Sequence, residues 1–310
     1  MTYRHEVRAA VIAELGSPPR RVELPDVPAG VAIEAVAPNP LDLAVGSGRF
    51  YGGHPELPYP PGCEAAGRTE DGTPVYLFGA GRGSARPGFL AERVAVPEEL
   101  QLPIPEGVEP ALAAAAGIAG VAGWVPVAWK AKVTPDDRVL VLGASGVVGL
   151  VALQAAKLLG AATVVAAGRD VGRLERAREL GADEVVALDG IAAAFGEEGF
   201  TVCIDPLWGE PLAGALASAA RRARIVHVGQ SAGPEAPLRS ADVRSKELTI
   251  QGHSNFALSK EEGARAYLEL LGHLLAGSIV IDVETYDLDH VEEAWARQQE
   301  GGGKKIVVTL

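Results

Sequence analysis

Arg138-Val139-Leu140-Val141-Leu142 runs into Gly143-Ala144-Ser145-Gly146-Val147-Val148-Gly149 and then Leu150 to Leu159. An apolar five-residue stretch, a glycine turn and an apolar helix closed by Gly160 form one strand–turn–helix unit. The glycines let the backbone turn tightly and approach a ligand. The helix start offers free N–H groups and the positive end of a dipole. A glycine triplet alone is a weak signal. Its placement after a strand, before a helix and ahead of a second apolar strand, Thr163 to Ala167, is the context it needs. The segment predicts a dinucleotide-binding unit, with Ala144, Ser145, Gly146, Val147 and Val148 at the phosphates.

The second strand ends in Gly168-Arg169-Asp170. An NAD site places an acidic residue there to hold the ribose hydroxyls. Gly168 stands at that position, and Arg169 follows with a guanidinium suited to a 2′-phosphate. Arg173 lies one helical turn on. The pattern favours NADPH. Asp170 reads as the N-cap of a helix from Val171 to Leu180, closed at Gly181.

The rest of the chain alternates in the same way. Val185 to Leu188, Thr201 to Ile204, Arg224 to Val228 and Leu248 to Gln251 read as further strands with helices between several of them. That alternation implies a parallel, doubly wound α/β sheet. Before it, Val7 to Ala13, Arg20 to Leu24, Val31 to Ala37 and Leu90 to Val96 read as strands of a β-rich part, with proline and glycine crowding residues 38 to 88. After it, Ser259 and Glu262 form a capping box for a helix to about Ala276. Asp289 and Glu292 do so for one ending near Glu300, and a strand from Lys305 to Leu310 closes the chain. These last elements are expected to return to the first part. The domains are therefore 1–112 with 258–310, and 113–257.

The 310 residues suffice for two cores. A net charge of −12 argues against a nucleic-acid or membrane-surface role, because both need a basic face. The only cysteines, Cys63 and Cys203, build neither a disulfide framework nor a zinc knuckle. A reduced, cytoplasmic setting fits, and Met1 to Glu6 shows no apolar leader. Ala111 to Trp129 is uncharged over a span-like length, but it is mostly small residues and is broken by Pro126. It reads as closely packed helix inside a fold.

At this point the chain resembles the medium-chain dehydrogenase/reductase superfamily, in its zinc-free quinone oxidoreductase branch. The resemblance rests on Asn39-Pro40-Leu41-Asp42, Pro61 to Gly67, Gly88-Phe89-Leu90-Ala91-Glu92, the Gly143 to Gly149 turn, Leu180-Gly181-Ala182-Asp183 and Gly303-Lys304-Lys305-Ile306-Val307. It implies a β-rich GroES-like domain, a Rossmann domain and a homodimer paired through a sheet edge formed by Leu248 to Gln251. Zinc relatives place Cys where Asn39 stands, His where Cys63 stands, and Cys or Asp near Ile118. None is present, so no metal is expected. Glu64 matches the acidic residue beside the metal and otherwise reads as a structural carboxylate.

The resemblance implies NADPH-dependent reduction of a quinone or of the C=C bond of an α,β-unsaturated carbonyl, both small molecules. Two alternatives stay open: a zinc-free carbonyl reductase, and a non-catalytic NADPH-binding protein. Asn39 reads either as a carbonyl-holding amide or as a turn residue before Pro40. Tyr51 reads as a proton donor or as exposed aromatic packing, and Cys63 as a pocket thiol or a packing residue. The tyrosine that some relatives carry just after Asn-x-x-Asp is Ala44 here, which leaves proton donation to water. The resemblance also brings Gly229, Gln230, Ser254 and Phe256 towards the nicotinamide, and puts Asp205 to Gly209 in a turn beneath the cofactor. His227 and Cys203 read as core residues, and His5, His54, His273 and His290 show no motif context.

Overall fold

The computed structural model describes residues 6–27 and 29–310. The N-terminal stretch read above for a leader, Met1 to His5, including His5, lies outside the described residues. The chain forms two compact units, Met1–Ile118 with Asp282–Leu310, and Ala119–Ile281. The expected boundaries are corrected by this division. Residues 258–281, assigned from sequence to the first domain, belong to the second. Helix Lys260–Leu275 buries Ala266, Tyr267, Leu270, Leu271 and Leu274, and packs on helix Val121–Val125. Its capping box is present, with Ser259 Oγ accepting from Glu262 N and Glu262 accepting from Ser259 N.

In chain order the strands are β1 (Glu6–Val11), β2 (Arg20–Pro25), β3 (Val31–Val36), β4 (Glu64–Arg68), β5 (Pro74–Phe78), β6 (Arg93–Val94) and β7 (Gln101–Pro103). The second unit adds β8 (Arg138–Leu142), β9 (Thr163–Gly168), β10 (Glu184–Ala187), β11 (Phe200–Asp205), β12 (Ala219–His227) and β13 (Thr249–Gly252). The chain then returns with β14 (Val283–Asp287) and β15 (Lys305–Thr309).

The first unit is a seven-stranded sheet, ordered β14-β15-β3-β4-β5-β7 with β6 on β3, beside a β1–β2 hairpin. Only β14–β15 is parallel among its pairs; the others are antiparallel. Alternating apolar residues of β3, β5 and β15 meet Phe89, Leu90 and Val291 in one core. The expected strand from Leu90 to Val96 shortens to Arg93–Val94, because Leu90 already bonds Ala10 and Ala91 bridges Ala9.

The second unit is one parallel sheet ordered β10-β9-β8-β11-β12-β13. Chain direction across the sheet reverses between β8 and β11, which is where such sheets bind ligands. β8, β9 and β11 are buried along nearly their whole length, as strands covered on both faces must be. β13 lies at an edge.

The apolar run Pro110–Ala131 is long and apolar enough to span a membrane by length and composition, but 78% of its most apolar window is buried inside the fold. It bends at Gly117, whose ψ is −115°. Two smaller expectations are also corrected. Val171 to Leu180 is a 3-10 turn, Val171–Leu174, followed by helix Glu175–Glu179. The capping residue near the C-terminus is Asp287, whose Oδ1 accepts from His290 N, rather than Asp289.

Candidate functional site

Two groups of residues answer to the sequence candidates, one in each unit. In the second, β8 ends in the glycine turn, and helix Val147–Leu158 begins at once with Gly146 as its extended N-cap. No side chain caps that helix start. Its first N–H groups, from Val147 and Val148, are thus left for a ligand. Gly149 is required for packing. A Cβ there would lie 2.6 Å from Gly143 O and 2.7 Å from Ala144 Cα. Gly146 is open by contrast, with Gly143 O alone within reach at 3.6 Å. Ala144 is buried and its N–H is tied to Ala167 O at 3.2 Å, whereas Ser145, Val147 and Val148 are half-buried.

Gly168 ends β9 buried against Leu174. Arg169 is exposed beside it, and Arg173 is exposed with its Nε 3.8 Å from Asp170 Oδ2. Asp170 caps its turn by accepting from Gly172 N at 2.9 Å. Two basic side chains, with the Asp170 carboxylate between them in sequence, thus border the carboxyl end of β9.

The loop after β11 touches the glycine turn. A Cβ on Gly143 would meet Leu207 Cδ2 at 2.9 Å, and one on Gly229 would meet Pro206 O at 3.2 Å. Gln230 and Ser254 are exposed, and Phe256 is 59% exposed in the 3-10 turn Asn255–Ala257. His227 differs from the core histidine expected of it. It is half-buried at the end of β12, with Nδ1 3.3 Å from Asp205 Oδ2. Its neighbour Trp208 has φ 60° and ψ −162°, a region nearly confined to glycine that costs about 1–3 kcal/mol. His253 is buried with Nε2 2.9 Å from Asn255 Oδ1, and burial holds its pKa below the ordinary histidine value. Cys203 is fully buried in the sheet core.

In the first unit, Asn39, Asp42, Cys63, Glu64 and Lys305 are all buried and form one network. Helix Pro40–Gly46 starts at Asn39, where Pro40 fits the first turn and Asp42 Oδ2 accepts from Asn39 N at 2.8 Å. Asp42 Oδ1 accepts from Gly62 N at 3.1 Å and Cys63 N at 2.9 Å. Glu64 Oε1 accepts from Asn39 Nδ2 at 2.8 Å, and Oε2 from Tyr76 Oη at 2.8 Å and Ile118 N at 2.5 Å. Lys305 Nζ donates to Pro38 O at 2.8 Å and Asn39 Oδ1 at 2.7 Å, and stands 3.6 Å from Glu64 Oε1. Burial pushes both carboxyls up and the ammonium down; their mutual attraction and the N–H donors oppose it. Tyr59 nearby is pushed up to about 12 by burial.

This geometry places the sequence candidates unequally. The second amide hydrogen of Asn39 goes to Ala37 O at 2.9 Å, so no Asn39 N–H is left for a substrate carbonyl. Burial pushes the Cys63 thiol well up, so it stays protonated and packs as a small residue. Tyr51 is 97% exposed with its ring 4.6 Å from that of Phe50. Sequence reasoning gave Lys305 no role, although it sets a buried ammonium 3.6 Å from Glu64. Its only signal was a place in the Gly303 to Val307 motif.

The network also tests for zinc. The three positions that relatives use as ligands converge around Glu64, but they carry an amide, a protonated thiol and an aliphatic side chain. An ammonium 3.6 Å from Glu64 repels a dication. The donor set does not fit zinc. No group of three or more His, Cys, Asp or Glu side chains is placed to hold a metal among the described residues.

Comparison with known proteins agrees with both units. Residues 147–272 match the zinc-binding dehydrogenase family. The quinone oxidoreductase of Mus musculus is 31% identical over 301 residues, covering 90% of this chain and 88% of its own. An NAD-dependent alcohol dehydrogenase structure superposes with a TM-score of 0.85 at 26% identity, covering 98% of this chain and 99% of that one. The YhdH oxidoreductase of Salmonella enterica, solved in complex with NADP, gives 0.82 at 22% identity, covering 98% and 99%. The fold is thus a Rossmann domain with a GroES-like β-rich domain, relatives of this kind bind nicotinamide cofactors, and the chain belongs to the medium-chain dehydrogenase/reductase superfamily, in its quinone oxidoreductase-like branch.

Proposed function

We propose that the chain is an NADPH-dependent, zinc-independent oxidoreductase that reduces quinones or the C=C bond of α,β-unsaturated carbonyls. The observation that carries the cofactor assignment is the end of β9, where buried Gly168 replaces an acidic residue and exposed Arg169 and Arg173 follow. The cofactor, when bound, supplies the hydride. Val147 and Val148 N–H groups and the helix dipole hold its pyrophosphate, with Gly146 leaving room for close approach. Arg169 and Arg173 pair with the 2′-phosphate. Gly229, Gln230, Ser254 and Phe256 border the nicotinamide side. Zinc independence rests on the donor set around Glu64. Asn39 acts there as a positioning residue, joining Glu64 to Lys305.

For an enone, hydride adds at the β carbon and solvent supplies the proton at the α carbon. A homodimer through the exposed edge β13 and a cytoplasmic location complete the reading.

The test is a calorimetric titration with NADPH and with NADH. NADPH is expected to bind at least about tenfold more tightly, near 1.4 kcal/mol, and Arg169→Ala to erase most of that preference. An acceptor panel then follows, with product analysis. Saturated ketone from an enone, or hydroquinone from a quinone, supports the proposal. Allylic alcohol would make the chain a carbonyl reductase, and cofactor binding without turnover would make it a binding protein.

A further inference from the structure

At the carboxyl ends of β11 and β12 lies a polar group to which the proposed function gives no task. Asp205 is fully buried, and its Oδ1 accepts from the backbone N–H groups of Leu207 and Trp208, each at 2.9 Å. Its Oδ2 faces His227 Nδ1 at 3.3 Å. The Trp208 ring lies against the imidazole, with centroids 4.3 Å apart at 41°. The His227 side chain keeps 27% of its surface open while Asp205 keeps none. A hydrogen on Nδ1 donates to Asp205 Oδ2, and Nε2 is then the ring nitrogen left to bond a ligand.

Two further observations tie this group to a ligand. Trp208 is held at φ 60° in a region nearly confined to glycine, and such strain gathers at ligand clamps. The loop that carries it also touches the cradle, since a Cβ on Gly143 would strike Leu207 and approach Pro206. The sheet order then sets direction. A dinucleotide crossing the switch between β8 and β11 has its adenosine half towards β9, where Gly168 and Arg169 lie, and its other half over β11 and β12.

We propose that His227, fixed by Asp205 and braced by Trp208, hydrogen-bonds the nicotinamide-ribose half of the cofactor through Nε2, accepting from a hydroxyl. This rests on the nicotinamide dinucleotide reading above. His227 is a binding and positioning residue in it, with no part in proton transfer.

The test compares two ligands by calorimetry. NADPH carries both halves; 2′,5′-ADP carries the adenosine 2′-phosphate half alone. His227→Asn keeps an amide N–H near the place of Nδ1, facing Asp205, and has nothing at the place of Nε2. It is expected to weaken NADPH about fivefold or more while leaving 2′,5′-ADP within about twofold. His227→Phe, which keeps a ring on Trp208, is expected to do the same. Equal weakening of both ligands, or no change in either, overturns the proposal. Failure of the wild-type protein to bind NADPH or NADH strikes the underlying reading instead, so the two failures are distinct.

Discussion

Lys305 shows how a single side chain can hold a buried site together. Its ammonium stands 3.6 Å from Glu64 Oε1, and Lys305, Asp42 and Glu64 are all at most 2% exposed. Removing one member of a buried charge network leaves the others without compensation, which costs about 3–5 kcal/mol. Lys305→Met should therefore lower the urea midpoint sharply, with the slope of the transition unchanged. A loss below about 1 kcal/mol would mean that the N–H donors alone satisfy the carboxylates. Asn39→Ala separates the two readings of that residue. An amide reserved for substrate would lower turnover and spare stability. The geometry here predicts a stability loss of about 1–3 kcal/mol, because Glu64 loses a donor and Lys305 an acceptor. The sequence showed Asn39 and Glu64 as candidates but not their contact. They lie 25 residues apart, on a helix start and a strand, and no local pattern joins such positions.

At the scale of elements, the second and third glycines of the turn should respond differently to one added methyl. Gly149→Ala sets a Cβ within 3 Å of the Gly143 and Ala144 backbone, which has no flexible end to move. Its thermal midpoint should fall by several degrees. Gly146→Ala meets nothing closer than 3.6 Å, so the fold should be kept; on the proposed binding mode the Cβ enters the space assigned to the pyrophosphate, and NADPH affinity should fall about tenfold or more. Equal thermal losses would show that both glycines serve packing. At the amino end of the same sheet, Asp137 joins three strands by accepting from Thr201 Oγ1 at 2.7 Å and Arg224 Nη2 at 2.6 Å, just before β8. Burial pushes its carboxyl up, but these donors and Thr134 N hold it below its ordinary value. It thus binds a proton less readily folded than unfolded. Its contribution is present above its unfolded pKa of about 4 and is lost as pH falls through the lower folded value. Asp137→Asn should flatten that acid limb in a thermal-midpoint profile against pH. The strand–turn–helix unit was legible because its signals are local. Asp137 was not, since an acidic residue before a strand looks like any turn residue until its partners are placed.

The division of the whole molecule shows where sequence reasoning stops. The capping box at Ser259 fixed the start of helix Lys260–Leu275, and its apolar spacing marked the buried face. Neither says which core that face enters. The helix belongs with the parallel sheet, where Glu269 Oε2 accepts from the indole N–H groups of Trp124 at 3.2 Å and Trp129 at 3.0 Å. Beyond it, Gln154 and Val280 exchange two hydrogen bonds, Gln154 Nε2 to Val280 O at 2.9 Å and Val280 N to Gln154 Oε1 at 2.8 Å. These contacts reach back to helix Val147–Leu158, which follows the glycine turn, so the residues up to Ile281 complete the second unit. A polypeptide of residues 119–281 should then fold with one cooperative urea transition and bind 2′,5′-ADP. One of residues 119–257 should not, because it exposes the face of helix Val121–Val125 on which Lys260–Leu275 packs and leaves both indoles without Glu269 and Gln154 without Val280. Comparable cooperative folding of the shorter polypeptide would show that the helix rests on a core already complete. Failure of the longer one as well would show that the second unit depends on the first for its stability.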